Sequence, residues 1–185
     1  MLFGPREPKR FAVFLSGSGS TLQSIIEIQG LHQPALVISN NPNAYGLKRA
    51  KRFGIPTFVL NGSFKVEEVN SILEKYKIEF IFLAGYMKLL KKEFIENIWH
   101  KKIFNIHPSL LPKYKGLNAV ERSWGEGSAM GVSIHEVVTE VDSGRLKTQS
   151  LSLNSDHSLN LSEAEIFLRS TEQSALRHFF QRVVK

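Results

Sequence analysis

The chain has 185 residues, of which 42% are hydrophobic and 22% charged, and its 24 basic and 17 acidic side chains leave a net charge of +7. This balance is typical of one globular domain and excludes collagen, coiled-coil and disordered chains, and no apolar run approaches the roughly 20 residues needed to cross a bilayer. Because the chain has no cysteine and no signal-peptide pattern in residues 1–10, we expect no disulfide or thiolate zinc site and a cytoplasmic location.

Short apolar runs alternate with segments of helical spacing through the first two thirds of the chain. Residues 1–9 are expected to form a disordered or extended segment, and residues 10–185 a single domain. In chain order we predict a strand at residues 11–15, a helix at 21–28, a strand at 35–38, a helix at 44–53, a strand at 55–60, a helix at 66–76, a strand at 80–84, a helix at 91–99 and a strand at 103–106. Continuously apolar strands indicate a mostly parallel sheet covered on both faces, and therefore a doubly wound α/β fold.

The last third of the chain changes character. Residues 131–138 and 146–153 alternate between apolar and polar side chains, which predicts two strands added to the sheet as an antiparallel extension. The sequence Ser162-Glu-Ala-Glu165 matches a capping box and predicts the start of a long C-terminal helix. We expect Ile166 and Phe167 to be among the buried side chains of that helix.

Ligands of open α/β sheets bind outside the carboxyl ends of the strands, which directs attention to the glycine loop Ser16-Gly-Ser-Gly-Ser-Thr21 between the first strand and the first helix. Small residues allow close approach of an anion, and a helix N-terminus offers unpaired N–H groups. The loop lacks the third glycine of a dinucleotide fingerprint and the lysine of a nucleotide P-loop. A phosphate monoester therefore fits it better than NAD or ATP, and a plain tight turn is the alternative.

A second candidate follows the fifth strand, at Asn105-Ile-His107-Pro-Ser-Leu-Leu-Pro112. Asn105 and His107 lie two residues apart, so a strand would present both side chains on one face. An amide donor can stabilise an oxyanion and an imidazole can move a proton, which together suit acyl transfer to an amine. A strand-end histidine that binds backbone carbonyls is the structural alternative. Ser109 does not indicate a Ser–His hydrolase because no nucleophile elbow is present.

Only two of the acidic residues are aspartates, Asp142 and Asp156. Asp142 lies in Asp142-Ser-Gly144, between the two late strands, where a carboxylate near His107 would orient its ring and favour the protonated form. Asp156 is expected to belong to an ordinary polar loop. The carboxylate of Asp142 therefore completes a candidate catalytic set, although a structural turn residue would look the same.

Several of these segments, taken together and in order, resemble the phosphoribosylglycinamide formyltransferase family of the folate-dependent formyltransferase superfamily. The matching motifs are Ser16-Gly-Ser-Gly-Ser20, Ser39-Asn40, Ala44-Tyr-Gly-Leu-Lys-Arg-Ala50, Leu83-Ala-Gly-Tyr-Met87, Asn105-Ile-His-Pro-Ser-Leu-Leu-Pro-Lys-Tyr114, Gly131-Val-Ser-Ile-His135 and Asp142-Ser-Gly144. The resemblance runs from about Arg10 to Ala175. It implies a formyltransferase fold and transfer of a formyl group from 10-formyltetrahydrofolate, as co-substrate, to the amine of glycinamide ribonucleotide in purine synthesis.

The resemblance also implies roles for individual residues. Asn105, His107 and Asp142 match the catalytic set, and Gly19, Ser20 and Thr21 match the site of the substrate phosphate. Folate binding falls on Met87, Lys88, Leu89, Leu90, Asn105, Val138, Thr139, Glu140 and Val141. Gly116, Glu172 and Gln173 are further candidates for substrate binding. No metal is implied, His135 is expected to support the site structurally, and the basic surface would suit two anionic substrates.

Departures from the family pattern keep other functions open. Thr21 replaces a common asparagine, Lys88 a frequent arginine, Arg145 the usual proline, and the family's substrate-binding glutamate aligns with Gln173, one residue after Glu172. The alternatives are a formyltransferase with another amine acceptor, a formyltetrahydrofolate hydrolase, and an inactive ligand-binding homologue. We expect small-molecule partners, no nucleic acid or membrane, and a monomer or homodimer.

Overall fold

Seven strands form one sheet in the computed structural model, which describes residues 8–28, 32–155 and 158–184. The strands are β1 (Arg10–Leu15), β2 (Gln33–Ser39), β3 (Thr57–Val59), β4 (Phe80–Leu83), β5 (Ile103–His107), β6 (Met130–Glu136) and β7 (Leu146–Leu153). Their order is β3-β2-β1-β4-β5-β6-β7, and the first five are parallel whereas β6 and β7 pair antiparallel. The predicted doubly wound sheet with an antiparallel extension is confirmed.

Helices cover both faces of this sheet. They are α1 (Ser20–Glu27), α2 (Tyr45–Arg52), α3 (Val66–Lys75), α4 (Lys92–Glu96), α5 (Ala119–Gly125) and α6 (Leu161–His178), which continues as a π-helical turn, Phe179–Val183. The predicted helix at 91–99 is shorter because the backbone of Asn97 leaves the helical region at ψ −118°. Helix α5 was not predicted, since only Ala119 and Ser123 bury a face and no apolar stripe marks it.

The core lies on both sides of the sheet because the side chains of β1 alternate between two buried faces. Phe11, Val13 and Leu15 pack with α1, α2 and α6, while Ala12 and Phe14 pack with α3 and α4. Each buried phenylalanine contributes about 2–3 kcal/mol by its removal from water. This two-sided burial explains the continuously apolar strands and leaves the strand ends as the place for polar chemistry.

The C-terminal helix is long, as predicted, but two details of the prediction were wrong. Its capping box is formed by Asn160 and Glu163, two residues before the predicted pair. Ile166 and Phe167 are 65% and 50% exposed instead of buried. The buried stripe of the helix passes through Ala164 instead, continues to residues 168, 175 and 176, and leaves the neighbouring positions facing solvent.

The predicted irregular segment at residues 1–9 falls mostly on residues 1–7, and these lie outside the described residues, as does Asp156. Lys9 belongs to no helix or strand, and its ammonium group pairs with Glu79 at 2.7 Å. In the described part of the chain no helix is both long and apolar enough to cross a membrane. The same residues contain no group of three or more His, Cys, Asp or Glu side chains able to hold a metal ion.

Candidate active site

The catalytic candidates meet at the carboxyl end of β5. Asn105 lies in the middle of that strand and His107 is its last residue. His135, on the neighbouring antiparallel strand β6, pairs with Asn105. Asp142 lies in the turn between β6 and β7, where its backbone has the left-handed value φ +49°. Aspartate tolerates this conformation better than most residues. The antiparallel extension is therefore what returns the aspartate to the end of β5.

Asp142 is the centre of the cluster, and its two carboxylate oxygens face different partners. Oδ2 lies 3.3 Å from Nδ1 of His107 and accepts a hydrogen bond of 2.8 Å from the amide of Gly116. Oδ1 lies 3.2 Å from Nε2 of His135 and 3.3 Å from Nδ2 of Asn105. The side chain is only 9% exposed. Asp142 is thus in direct contact with three side chains that lie 7 to 37 residues before it in the sequence.

The environment of Asp142 keeps it ionised. Burial by itself raises the pKa of this carboxyl, but the hydrogen bonds from His135 and Gly116 and the charges of His107 and His135 together outweigh burial and lower the pKa to about 2. Asp142 therefore carries a negative charge at neutral pH.

Both ring nitrogens of His107 face hydrogen-bond acceptors. Nε2 lies 2.8 Å from the carbonyl oxygen of Tyr114, and Nδ1 faces the carboxylate of Asp142. A carbonyl and a carboxylate can only accept, so the doubly protonated imidazolium satisfies both contacts. The ring is buried, and it lies next to the cavity that His107 lines.

The side-chain amide nitrogen of Asn105 has two polar neighbours in the cluster. Its Nδ2 lies 3.2 Å from His135 Nε2 and 3.3 Å from Asp142 Oδ1, and these two atoms are 3.2 Å apart. The three distances define a nearly equilateral triangle with an angle of about 60° at Nδ2, whereas the two amide hydrogens are about 120° apart. Both neighbours therefore lie on one side of Nδ2, at the edge of the cavity that Asn105 lines.

His135 was predicted to support the site structurally, and the structure places it in direct contact with Asn105 and Asp142. Its Nδ1 must donate to the carbonyl oxygen of Glu136, 2.7 Å away. Nε2 of the neutral ring then accepts from Asn105, and Nε2 of the protonated ring donates to Asp142. The only sequence signal for this position was the alternation that puts residues 131, 133 and 135 on one face.

The glycine loop lies at the end of β1 and is closely packed against α2. Gly19 has φ +70°, and a Cβ there would lie 2.5 Å from the Cα of Gly46. The amide of Gly46 donates to the carbonyl of Gly17, and Arg49 donates to the carbonyl of Ser18. No side chain caps α1, so its first N–H groups, at Ser20 and Thr21, are available to an anion.

A carboxylate from α6 reaches this loop. Glu172 accepts a hydrogen bond from the hydroxyl of Thr21, while burial raises its pKa. Gln173, the position suggested by sequence alignment, is exposed on the next face of the helix. One step along a helix turns a side chain by about 100°, which explains why only one of the two neighbours can point at the loop.

A cavity of about 750 Å³ opens beside the catalytic cluster. Its lining includes all of the predicted folate-binding residues except Glu140, which instead lies 3.6 Å from Lys115. Gly116 also lines the cavity, and Met87 and Leu89 at its rim are 65% and 80% exposed. The exposed apolar rim is unusual for a surface and indicates a site for a ligand with a large apolar part.

The sequence and the fold of this chain are both similar to those of known enzymes. The formyl transferase family matches residues 9–174, and the chain belongs to this family. It is 42% identical to the phosphoribosylglycinamide formyltransferase of Haemophilus influenzae over 155 residues, covering 77% of this chain and 72% of that protein.

Two further relatives extend the comparison. The chain is 39% identical over 155 residues to the trifunctional purine biosynthetic protein adenosine-3 of Homo sapiens, covering 78% of this chain and 15% of that protein. It thus spans only 11–15% of the length of the human, bovine and Drosophila trifunctional proteins. The crystal structure of glycinamide ribonucleotide transformylase 1 from Geobacillus kaustophilus superposes with a TM-score of 0.85 at 30% identity, covering 94% of this chain and all of that one.

Proposed function

We propose that this protein transfers the formyl group of 10-formyltetrahydrofolate to the amine of glycinamide ribonucleotide, a step of purine synthesis. The observation that carries the proposal is the contact of Asn105, His107 and Asp142 at the edge of a cavity of about 750 Å³. The names of the Haemophilus and Geobacillus relatives support the acceptor. The proposal keeps the predicted small-molecule partners and cytoplasmic location.

The reaction forms one carbon–nitrogen bond and breaks another. The neutral amine attacks the formyl carbon, and the carbonyl oxygen becomes a tetrahedral oxyanion. The amine nitrogen then loses a proton, N10 of the folate gains one, and the bond from the formyl carbon to N10 breaks to release tetrahydrofolate. The barrier depends on stabilising the oxyanion and on moving that proton.

The cluster would act mainly through charge and one hydrogen bond. An N–H of Asn105 would donate to the oxyanion, a contribution of about 3–4 kcal/mol for a donor of this kind. The imidazolium of His107 would add a buried positive charge, held in place by Asp142. A water in the cavity, next to Asp142, would carry the proton that passes from the amine to N10.

The folate would occupy the cavity, with its pterin ring against the backbone and apolar side chains of residues 87–90 and 138–141. Lys88 and Lys92 lie in the lining at the open side, where they can meet the glutamyl carboxylates. Lysine supplies a point charge without the planar geometry of arginine. Lysine at position 88, in place of the arginine frequent in the family, would therefore still attract the folate tail but orient it less strongly.

We propose that the phosphate of the acceptor binds the N-terminus of α1 at Gly19, Ser20 and Thr21, and Gly19→Ala tests this. The alanine would need φ +70° and would place Cβ 2.5 Å from the Cα of Gly46. The left-handed backbone alone costs about 1–2 kcal/mol, so the loop must change shape. We expect the KM for the ribonucleotide to rise at least about tenfold, with the KM for the folate unchanged, in steady-state assays.

Gly17 offers a matched control in the same loop. A Cβ at Gly17 meets nothing within 4 Å and its φ is not in the left-handed range. Gly17→Ala should therefore leave the KM for the ribonucleotide close to that of the wild type. Equal effects of the two substitutions would contradict a specific requirement at Gly19.

We propose that the side chain which binds the ribose hydroxyls of the acceptor is the carboxylate of Glu172 and not the amide of Gln173. A hydrogen bond to a charged group is worth about 1.5–3 kcal/mol, so Glu172→Gln should raise the KM for the ribonucleotide about tenfold and change kcat little. Because burial raises the pKa of Glu172, its ionised form costs stability, and the variant should melt no lower than the wild type at pH 8. Ser174→Ala, on the exposed side of α6, is the control; a larger effect of Gln173→Ala would reverse the assignment.

The purified protein, mixed with 10-formyltetrahydrofolate and glycinamide ribonucleotide, should produce formylated ribonucleotide and tetrahydrofolate in equal amounts. Tetrahydrofolate without formylated product would identify a hydrolase. Turnover only with a different amine would change the acceptor, and tight binding of both substrates without turnover would identify an inactive homologue.

A further inference from the structure

The 113–118 loop, which joins β5 to α5, has an unusual backbone. Tyr114, Gly116 and Asn118 have φ values of +56°, +77° and +53°. Tyr114 and Asn118 are not glycines, and residues other than glycine occupy the left-handed region only rarely. Such a conformation persists only when its surroundings hold it, so the contacts of this loop need an explanation.

The loop supplies one backbone partner to each of two catalytic candidates. The carbonyl oxygen of Tyr114 lies 2.8 Å from Nε2 of His107, and the amide of Gly116 donates to Oδ2 of Asp142 at 2.8 Å. Lys115, between them, reaches across to the hydroxyl of Ser143 at 2.6 Å. A shift of this short segment would move the hydrogen-bond partners of His107 and Asp142 together.

Arg122, on α5, holds the loop from the side away from the cavity. Its Nη1 donates to the carbonyl of Lys115 at 2.9 Å and to that of Leu117 at 3.2 Å, the two residues that flank Gly116. Its guanidinium carbon lies 5.5 Å from the centre of the Tyr114 ring. Arg122 is exposed and does not line the cavity, so none of these contacts is needed to bind a substrate there.

The hydroxyl of Tyr114 anchors the other end of the loop. It lies 2.6 Å from a carboxylate oxygen of Glu126 and 2.6 Å from the hydroxyl of Ser128. These contacts fix the side chain of Tyr114, whereas Arg122 binds the peptide group between Lys115 and Gly116 and the one between Leu117 and Asn118. The contacts of Tyr114 and those of Arg122 therefore act on different parts of the loop. Only Arg122 acts directly on the peptide group whose N–H binds Asp142.

We propose that Arg122 is a positioning residue that sets the orientation of Asp142 and His107 through the peptide groups around Gly116. The consequence for catalysis rests on the proposed function, whereas the consequence for the geometry of the site does not. Removal of the guanidinium leaves two carbonyls without their donor and releases a strained segment. Asp142 then loses its hydrogen bond from the Gly116 amide, and His107 loses its fixed acceptor.

The geometry is tested first in the ligand-free protein, by NMR of the imidazole groups. In Arg122→Ala we expect the ring signals of His107 and His135 to shift or broaden, while the signal of exposed His100 stays unchanged. Arg177→Ala is the matched control, because among the described residues Arg177 makes no hydrogen bond or ion pair and is exposed on α6. A wild-type imidazole spectrum in folded Arg122→Ala would overturn the proposal.

Kinetics then separate positioning from stability. We expect Arg122→Ala to lower kcat about tenfold, with each KM within about twofold of the wild type, and Arg122→Lys to recover part of the loss because lysine can still donate to the two carbonyls. If Arg122→Ala does not fold, Arg122→Lys and Arg122→Gln carry the test, and wild-type spectra and kcat in both would reject the inference. Absence of turnover in the wild type would reject the proposed function and leave the spectral test intact.

Discussion

Replacing Asp142 by asparagine is expected to lower kcat about 10²- to 10³-fold at pH 7. The variant keeps the side-chain volume, and asparagine tolerates φ +49° at least as well as aspartate, so the turn should persist. The substitution removes the negative charge that faces both His107 and His135. A protonated, buried imidazole ring then has no carboxylate to stabilise it. Steady-state kinetics with both substrates would measure the change.

The same substitution should also change how the free energy of unfolding depends on pH in acid. This effect comes from the lost charge and not from a change in the shape of the side chain. The pKa of Asp142 is lowered from 3.8 to about 2 in the folded protein. A lowered pKa stabilises the native state fully above the unfolded value, and this contribution is lost as pH falls through the folded value. The stabilisation, about 2 kcal/mol, should therefore disappear between pH 4 and pH 2.

Denaturant unfolding at several pH values would show this effect. The free energy of unfolding of the wild type should fall more steeply between pH 4 and pH 2 than that of Asp142→Asn, so the two should converge in acid. Parallel curves would mean that Asp142 is not held by the two histidines in solution. A kcat within threefold of the wild type at pH 7 would remove its charge from the mechanism.

Replacing His107 by alanine is expected to lower kcat about 10²-fold or more. The ring is buried and lies against two acceptors, the Asp142 carboxylate and the Tyr114 carbonyl, so its removal takes away the proton donor beside Asp142 and leaves the carboxylate with one histidine. Because the loss falls on the transition state, we expect little change in either KM.

The exposed His100 provides the control, since His100→Ala should not alter kcat or the melting temperature. Circular dichroism of His107→Ala should report a folded protein, because the apolar core on both faces of the sheet is untouched. Turnover close to that of the wild type in a folded variant would exclude His107 from the reaction.

Much of the fold could be predicted because its signals are local. The continuous apolar run of β1 predicts a buried parallel strand, and the alternation in residues 146–153 predicts a strand covered on one face. Helix α5 could not be predicted this way, since it buries little and depends on packing beside β6 and α6. The start of α6 shows a related error: Asn160 and Ser162 both precede a glutamate by three residues, and only packing of the helix selects the first pair.

The site shows the same division between local and distant information. Asn105 and His107 share a strand end, so their joint orientation follows from a period of two residues. The choice of Glu172 over Gln173 depends on the rotation of α6 against the glycine loop, which one helical step can reverse. The arrangement that holds the 113–118 loop involves Arg122, a surface arginine with no motif around it.

The sequence by itself determined the sheet, all of its covering helices except α5, the glycine loop and the identity of the polar residues at the strand ends, because hydrophobic periodicity and turn chemistry act over a few residues. Only the tertiary structure decided that Asp142 contacts His107, His135 and Asn105 at once, and that Gly116 completes the carboxylate's partners. These contacts join segments up to 37 residues apart. Their distances depend on the register of the antiparallel strands and the path of a strained loop, and both are set by packing of the whole chain.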